Sequence, residues 1–572
     1  MRLSNFLVTF SACALFAACA NDEMPGGNNL PQGNGEQAFI AVRLAAPNAM
    51  TRAFQDGDDN LKESDVQSAR FYFFDNSGNA VTVSGNVNYV SPTGLNFTDN
   101  SNNSENIDET SDAILVLSDV DLATPPTKMA VVLNPPSDLG TNSKSLSQLS
   151  AAADDYATTV TGSGTDAKGY FVMSNSVYMD NNTKVDAVDI AAYITESRVA
   201  ATNNPVTVYV ERVLARVDVK QKTGGSGLNG YSDDTGVAAS EIQGQQDPES
   251  KQVKAVVKGW GLANQNSTSY LIKQLDNTWN ATSFPFNGWN DATKHRSYWA
   301  KTTYINSSLA TNPTYEGLLP AEDAQVPTTQ YCQERTGIEN ISGNPTELLV
   351  IAELQVDNQA VTIARYAGRY YTVDALLEQF LTMTGDIYIK ATDGSGTPNN
   401  WTKLDKSYLK LRPRTASESS VAAYEAVLDL KDTYTTGYSF ASDSEGTTSM
   451  QPTDVEAKLN AFTAQLWYEG RTYYHVPITH DTDGATATDP GRFGVVRNHL
   501  YNIAISGITG LGTPIPGDTN GDEDDPDDEE DPGKDPIDPE DPEDNNSYLA
   551  AEINILSWNV IGQEVELGGK TE

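Results

Sequence analysis

From Asp522 to Asp544 the chain carries fifteen Asp and Glu against a single Lys534, with Pro526, Pro532, Pro536, Pro539 and Pro542 spaced through the run. Like charges push such a stretch open, and it holds too little apolar surface to offset the entropy of ordering. It therefore divides the chain. Before it lies a body that closes with Gly494-Val-Val-Arg-Asn-His-Leu-Tyr-Asn-Ile-Ala-Ile-Ser506, and after it one more strand-like run, Tyr548-Leu-Ala-Ala-Glu-Ile-Asn-Ile-Leu-Ser-Trp-Asn-Val-Ile561. A lone strand exposing Ile553, Ile555, Trp558 and Val560 is unstable in water and pairs with any open sheet edge. This tail must dock, on its own body or on another molecule.

The body is long enough for two or more domains with real cores, the whole chain being 572 residues. Its Val, Ile, Thr and Tyr content, broken by Gly, Asn and Ser clusters, reads as mainly β. The formal charge of −41 argues against nucleic acid and against electrostatic attachment to anionic membranes. About a third of that excess lies in the acidic stretch, so the folded part is acidic without being extreme.

At the other end, Arg2 precedes an apolar run from Phe6 to Ala18, too short to span a bilayer as a helix, which reads as an export signal. It ends in Leu15-Phe-Ala-Ala-Cys19, which resembles the lipobox of exported lipoproteins, with Cys19 as the lipidated residue and Asn21-Asp22-Glu23 as a short acidic export tag. Cys13 would leave with the signal, so Cys332 alone remains and no intramolecular disulfide is possible; Cys332 itself reads as a structural thiol.

A first strand follows in Ala38-Phe-Ile-Ala-Val-Arg-Leu-Ala-Ala46. Ala38, Ile40, Val42 and Leu44 share one face and Arg43 lies on the other. Pro47 ends it, and Met50 to Gly57 reads as an exposed loop holding Arg52, so the strand could be cut from the body at one Arg. Further strands are predicted at Ala69–Phe74, Ala113–Leu117, Lys128–Leu133, Tyr170–Ser174, Pro205–Lys220, Lys254–Trp260, Leu348–Leu354 and Tyr473–Ile478. Helical period appears at Val373–Leu381, and Asp454 is placed to cap a helix from Val455 to Leu466. The Gly-rich Thr223–Gly227 is the best domain boundary, and the whole suggests two β-sandwiches in tandem.

Motifs that carry chemistry are mostly lacking. His475 and His480, five apart across Pro477, would lie on opposite faces of a strand, and the sequence holds no His-Glu-x-x-His and no Gly-x-Ser-x-Gly. Asp518-Thr-Asn-Gly-Asp522 matches the first half of a calcium loop, but Glu523 stands where the turn needs Gly. No catalytic residue, metal site or cofactor is predicted, and the chain does not read as an enzyme.

Several segments together resemble the fimbrillin family of Bacteroidetes, the subunits of type V pili, and most of all the shaft subunit of the short (minor) fimbriae. They are the lipobox at Cys19, the strand-then-Arg entry ending Thr51-Arg52-Ala53, Val208-Tyr-Val-Glu-Arg-Val-Leu-Ala-Arg-Val217, Val495-Val-Arg-Asn-His-Leu-Tyr501, the Gly510-Leu-Gly512 turn, the acidic Pro-rich linker and Asn554–Ile561. Their order and spacing span nearly the whole chain, though the linker carries more consecutive acid than the proline-dominated linkers of the family. The resemblance implies two tandem transthyretin-like β-sandwich domains with a flexible acidic linker and a C-terminal donor strand. It divides the chain into a signal peptide (1–18), a lipidated propeptide with a removable first strand (19–52), an N-terminal sandwich (53–221), a C-terminal sandwich (222–512), the linker (513–546) and the donor strand (547–572).

It further implies export to the outer membrane on the lipid of Cys19, then cleavage between Arg52 and Ala53 by an Arg-specific surface protease. Removal of Ile40, Val42 and Leu44 would open a groove that Ile553, Ile555, Trp558 and Val560 of another copy fill. The product would be a head-to-tail homopolymer with anchor and tip subunits as partners, supporting adhesion. A bulge or change of partner is expected near Leu556-Ser557, where the apolar face switches. The linker, 35 residues from Gly512 to Asn546, reaches at most about 120 Å extended and about 30–35 Å as a coil. The competing expectation is a surface-anchored glycan- or protein-binding lipoprotein that does not polymerise, with the aromatic loops around Trp279, Trp289 and Trp299 as its binding face.

Overall fold

The computed structural model describes residues 36–47, 61–62, 66–92, 95, 98–99, 107–156, 160–161, 168–222, 227–246, 248–276, 289–302, 309–322, 324–336, 345–393, 396–414, 425–480, 491–517, 536–537 and 548–557. The chain is mainly β, built as sheet sandwiches.

In the first half a nine-stranded sheet contains β1 (Glu36–Pro47), β2 (Ala69–Phe74), β3 (Ile107–Val120), β4 (Lys128–Leu133), β5 (Met173–Asn175) and β6 (Val206–Arg212). Their spatial order is β2-β4-β5-β6-β1-β3. The sheet curls, so that Ile40, Val42 and Leu44 of β1 share one core with Phe71 and Phe73 of β2 and Val131 of β4. On β2 and β4 the alternate residues Tyr72, Phe74, Ala130 and Val132 enter a second core. Burial on both faces explains why these strands read as unbroken apolar runs; β1 buries Ala38, Ile40, Val42 and Leu44 on one face and, on the other, Ala41 but not Arg43.

The run Pro205–Lys220 is not one strand. It divides at Val213 into β6 and β7 (Leu214–Gln221), and β7 belongs to a different sheet. The passage from the first sheet to the second thus falls ahead of Thr223–Gly227, where the sequence places the boundary. Tyr170–Ser174 likewise divides: Lys168–Tyr170 joins a small three-stranded sheet, and β5 starts at Met173 because Phe171 and Val172 turn into the second core.

The second sandwich uses β7, β8 (Ser232–Ala238), β9 (Gln252–Ala263), β10 (Thr329–Gln333), β11 (Glu347–Val356), β12 (Arg471–Pro477), β13 (His499–Thr509), β14 (Thr513–Pro514) and β15 (Tyr548–Ser557). One sheet runs β10-β7-β13-β15 and the other β8-β9-β11-β12-β14. Between them lies a core that includes Val217, Val257, Val350, Tyr474, Tyr501 and Ile503.

A further core, drawn from residues 364–466, is lodged between β11 and β12 and was not anticipated. It includes α1 (Val373–Thr384), which Thr372 caps by accepting from the Ala375 N–H and which buries Leu376, Leu377 and Phe380 at helical spacing. The predicted helix Val455–Leu466 is corrected: α2 spans Pro452–Leu459, with Pro452 in its first turn and Asp454 inside it rather than capping it. Beyond it Thr463–Trp467 is a strand.

Candidate assembly site

The leading strand β1 sits inside its sheet. It runs parallel to β6, with Val42 beside Val206 and Leu44 beside Val208, and antiparallel to β3, with Ile40 beside Leu115 and Val42 beside Ala113. Ile40, Val42 and Leu44 are each fully buried. On the opposite face the Arg43 guanidinium holds Asp112 at 2.8 Å in solvent. Burying three such side chains contributes about 1.5–3 kcal/mol each before ordering costs. Taking β1 away would leave a slot with an unpaired backbone edge on each side, the edges of β6 and β3, and an apolar floor. Arg52 and Ala53, like Cys19, lie outside the described residues.

The tail strand β15 is bound differently. Among the described residues it pairs only with β13, antiparallel, Ile553 opposite Ile503 and Ile555 opposite Tyr501, at the end of the four-stranded sheet. In the single chain it is therefore docked on its own body, whereas the resemblance implies a home in another copy. The register irregularity also falls elsewhere than expected. Pairing continues through Leu556 and Ser557, and the extra residue is Ser506 of β13, next to Gly507 and opposite Ala550 and Ala551. Trp558 and Val560 lie outside the described residues.

The two mid- and late-chain motifs meet at the junction of the sandwiches. Asn498, in the left-handed region at φ 57°, donates its N–H to Leu214 O at 2.8 Å and accepts the Arg212 N–H on Oδ1 at 3.4 Å. Next to it Arg497, with no exposed surface, donates Nε to Glu334 Oε2 at 3.0 Å, Nη1 to Leu271 O at 3.1 Å and Nη2 to Ser269 Oγ at 3.1 Å. Lys273, buried with it, donates to Glu211 Oε2 at 2.7 Å and to Ser297 O at 2.9 Å. Burial pushes Glu211 up and Lys273 down, each against the pull of the other's charge. Breaking an ion pair removed from water like this leaves an uncompensated buried charge, so the junction tolerates little rearrangement.

Beside these pairs the Tyr501 hydroxyl accepts the Val496 N–H at 2.8 Å and shares a 2.8 Å bond with His480 Nδ1. Burial brings His480 down to about 4 and puts His499 well below its usual range. His475 is elsewhere, 2.5 Å from Glu347, so the two histidines of the Tyr473–His480 segment do not converge. Cys332 is buried and pushed up to about 12 by desolvation, the state of an unreactive core thiol.

The aromatic face expected of a binding lipoprotein is not formed by Trp289 or Trp299. Both are buried in the core shared by the two halves, Trp299 completely, packed with Tyr72 and Val132 of the first sheet. A sequence cannot distinguish a tryptophan that binds ligand from one that joins two domains, and here the second use prevails. Trp279 lies outside the described residues, as does Asp518–Asp522.

The molecule is thus a tandem β-sandwich protein whose first and last described strands both join sheets, one from inside and one at an edge. Residues 465–564, which take in β12, β13, the linker and the tail strand, match the family model described as major fimbrial subunit protein type IV, fimbrillin, C-terminal. That stretch is similar to the C-terminal region of fimbrillins. No curated protein matches the sequence.

Solved structures similar to the chain include a candidate cell adhesion protein from Parabacteroides distasonis. It is 11% identical, covering 92% of this chain and 98% of that one, with a TM-score of 0.35. The fimbrilin FimA from Porphyromonas gingivalis is 14% identical, covering 83% and 92%, with a TM-score of 0.33. A fimbrial assembly protein from Parabacteroides distasonis is 14% identical, covering 55% and 81%, with a TM-score of 0.25.

Proposed function

We propose that the protein is a structural pilin that polymerises into a surface fimbria by protease-triggered donor-strand exchange and so supports adhesion. One observation carries the reading: the strand that precedes Arg52 in the chain is an interior strand, while the tail strand holds a sheet edge. Cleavage between Arg52 and Ala53 by an Arg-specific surface protease would release β1 from its covalent tie. Its departure would uncover the edges of β6 and β3.

A tail strand of ten residues makes roughly ten ladder bonds at the edge of β13 and would make roughly twice as many between two neighbours. At about 1 kcal/mol net each, the second row favours the slot by about 10 kcal/mol, before side-chain burial. Ile553 and Ile555, with Trp558 and Val560 beyond them, would supply the apolar face that Ile40, Val42 and Leu44 give up. Backbone pairing supplies affinity in such strand addition, and alternate side chains set the register. The fimbrillin C-terminal match over the tail and its host sheet supports the same reading.

In this account residues 1–18 are the signal peptide, 19–52 the propeptide lipidated on Cys19, 53–221 and 222–512 the two sandwich units, 513–546 the linker and 547–572 the donor. The lipid holds the precursor at the outer membrane until processing. Anchor and tip subunits of the same fimbria would occupy the ends of the homopolymer.

The test is to treat lipid-free protein with an Arg-specific protease and look for ladders that resist boiling in detergent. Ladders are expected from the parent, and neither from Arg52→Ala nor from the chain truncated after Asn546. Equal ladders from both variants would leave the non-polymerising surface lipoprotein as the better account.

A further inference from the structure

The acidic linker contains one aliphatic residue between Gly517 and Asn546, and the body has a place for it. Ile537 is 5% exposed. Its N–H donates to Pro313 O at 3.0 Å, its carbonyl accepts from Asn312 Nδ2 at 2.9 Å, and Pro536 bridges to Thr314. The side chain packs with Ala263, Tyr315, Leu349, Ile351, Tyr473 and Ile515. This cluster covers the outer face of the β8-β9-β11-β12-β14 sheet. Along β11, Leu348, Val350 and Ala352 enter the sandwich core while Leu349 and Ile351 enter this outer one. Residues flanked by carboxylates settle on a protein surface only where something specific holds them. Here one buried aliphatic chain and two backbone bonds do so.

We propose that Pro536–Ile537 is a peg that fastens the linker to the second sandwich and thereby holds the tail strand on β13. With the peg seated, the tether from Ile537 to Tyr548 is eleven residues, at most roughly 40 Å; without it, the tether from Gly517 is thirty-one residues, at most roughly 105 Å. The effective concentration of a tethered segment at its site falls as about the −3/2 power of tether length. The peg therefore favours the docked tail over the free tail by about fivefold, without touching the strand itself. On the pilin reading above, and resting on it, unseating the peg would raise the supply of free donor strand. The clamp within one subunit does not depend on that reading.

Hydrogen exchange on the uncleaved, full-length chain tests the clamp directly. In Ile537→Asp the amides of residues 548–557 should lose about fivefold of their protection while the amides through which β7 pairs with β10 and β13 keep theirs, and Ile537→Val should behave as the parent. Six Gly/Ser residues inserted after Glu540 leave the peg intact, lengthen the tether and should lower tail protection about twofold. Loss of protection at the Ile537 amide with tail protection unchanged would overturn the proposal. Should Ile537→Asp fail to fold, the insertion decides alone, and unchanged protection in it overturns the proposal equally. A processed parent that gives no polymer would instead sink the pilin reading and leave the exchange result standing.

Discussion

The two terminal strands are held in opposite ways. β1 has a neighbour on each side and a fully buried apolar face, whereas β15, among the described residues, has one neighbour and ends its sheet. An interior strand binds through both backbone edges, so losing it exposes two rows of unpaired groups; losing an edge strand exposes one. A body deprived of its first strand is therefore a stronger host for a free strand than the edge on which the tail rests. If the tail transfers as proposed, the asymmetry would give the step a direction, from edge to interior, with no need for the tail to be a better strand than the one it replaces.

The comparison breaks most visibly at Val42. Val42→Asp puts a carboxylate into the first core with no partner, and should destabilise the uncleaved first sandwich by about 5 kcal/mol. The same substitution should have no effect on the processed subunit if β1 leaves. Urea unfolding before and after Arg-specific cleavage measures both. A penalty that survives cleavage would mean that β1 stays in its slot.

Next in size is the platform that joins slot and tail. Arg497→Ala removes a cation with no exposed surface and leaves Glu334 buried without it, which typically costs about 3–5 kcal/mol. Thermal unfolding followed separately in the two halves should show both destabilised, since the residues around Arg497 come from both.

Acid should separate the two hosts. His480 is neutral in the folded state and titrates at about 4, against about 6.5 when unfolded. Between those values the unfolded chain binds the extra proton, so stability is full above about 6.5 and falls as pH drops towards 4, by about 3 kcal/mol from this residue. His499, lowered further, adds to the loss in the same direction. Both lie on or against the sandwich that holds the tail; the strands that flank β1 contain no histidine, and His295, which stacks on Tyr209 of β6, is half-buried where His480 and His499 are buried. Tail protection should thus decline before that of β1 on acidification, and His480→Gln should flatten the decline.

How legible all this was differs from segment to segment for physical reasons. The burial of Ala38, Ile40, Val42 and Leu44 on one face of β1 is legible in their spacing, whereas the cover over Phe39 and Ala41 on the other is not. The unbroken Phe71-Tyr-Phe-Phe74 reported burial on both faces, though not what covers the second one. That cover includes Trp289 and Trp299, and long-range packing leaves no local periodicity to read. The split at Val213 left a signal that could have been found: the apolar phase passes from Val206, Val208 and Val210 to Val213, Val217 and Val219, so one continuous strand cannot carry both on a single face. Ile537 left a signal that could have been found: an isolated aliphatic residue in an acidic run has no reason to be there unless it is buried. Arg497 and Asn498 stood in a motif marked from the sequence, but their partners, Glu334 and Leu214, lie far along the chain, and only the fold brings them together.

The smallest effect sharpens the comparison from its solvent side. Arg43 faces Asp112 across the β1–β3 pair, the only charged residue among 38–46, and its guanidinium is tied to that carboxylate at 2.8 Å. Their side chains are 46% and 64% exposed, so water and salt screen the attraction and two side chains lose freedom to maintain it. Arg43→Ala should shift stability of the uncleaved protein by about 0.5 kcal/mol or less, and less still at high salt. If β1 is held by its inward face and its two backbone edges, this outward pair is dispensable, and its loss should leave the rate of strand release after cleavage almost unchanged. A large acceleration, read by the appearance of the free propeptide after proteolysis, would mean that the exposed face carries the grip and that the burial of Ile40, Val42 and Leu44 is the lesser part.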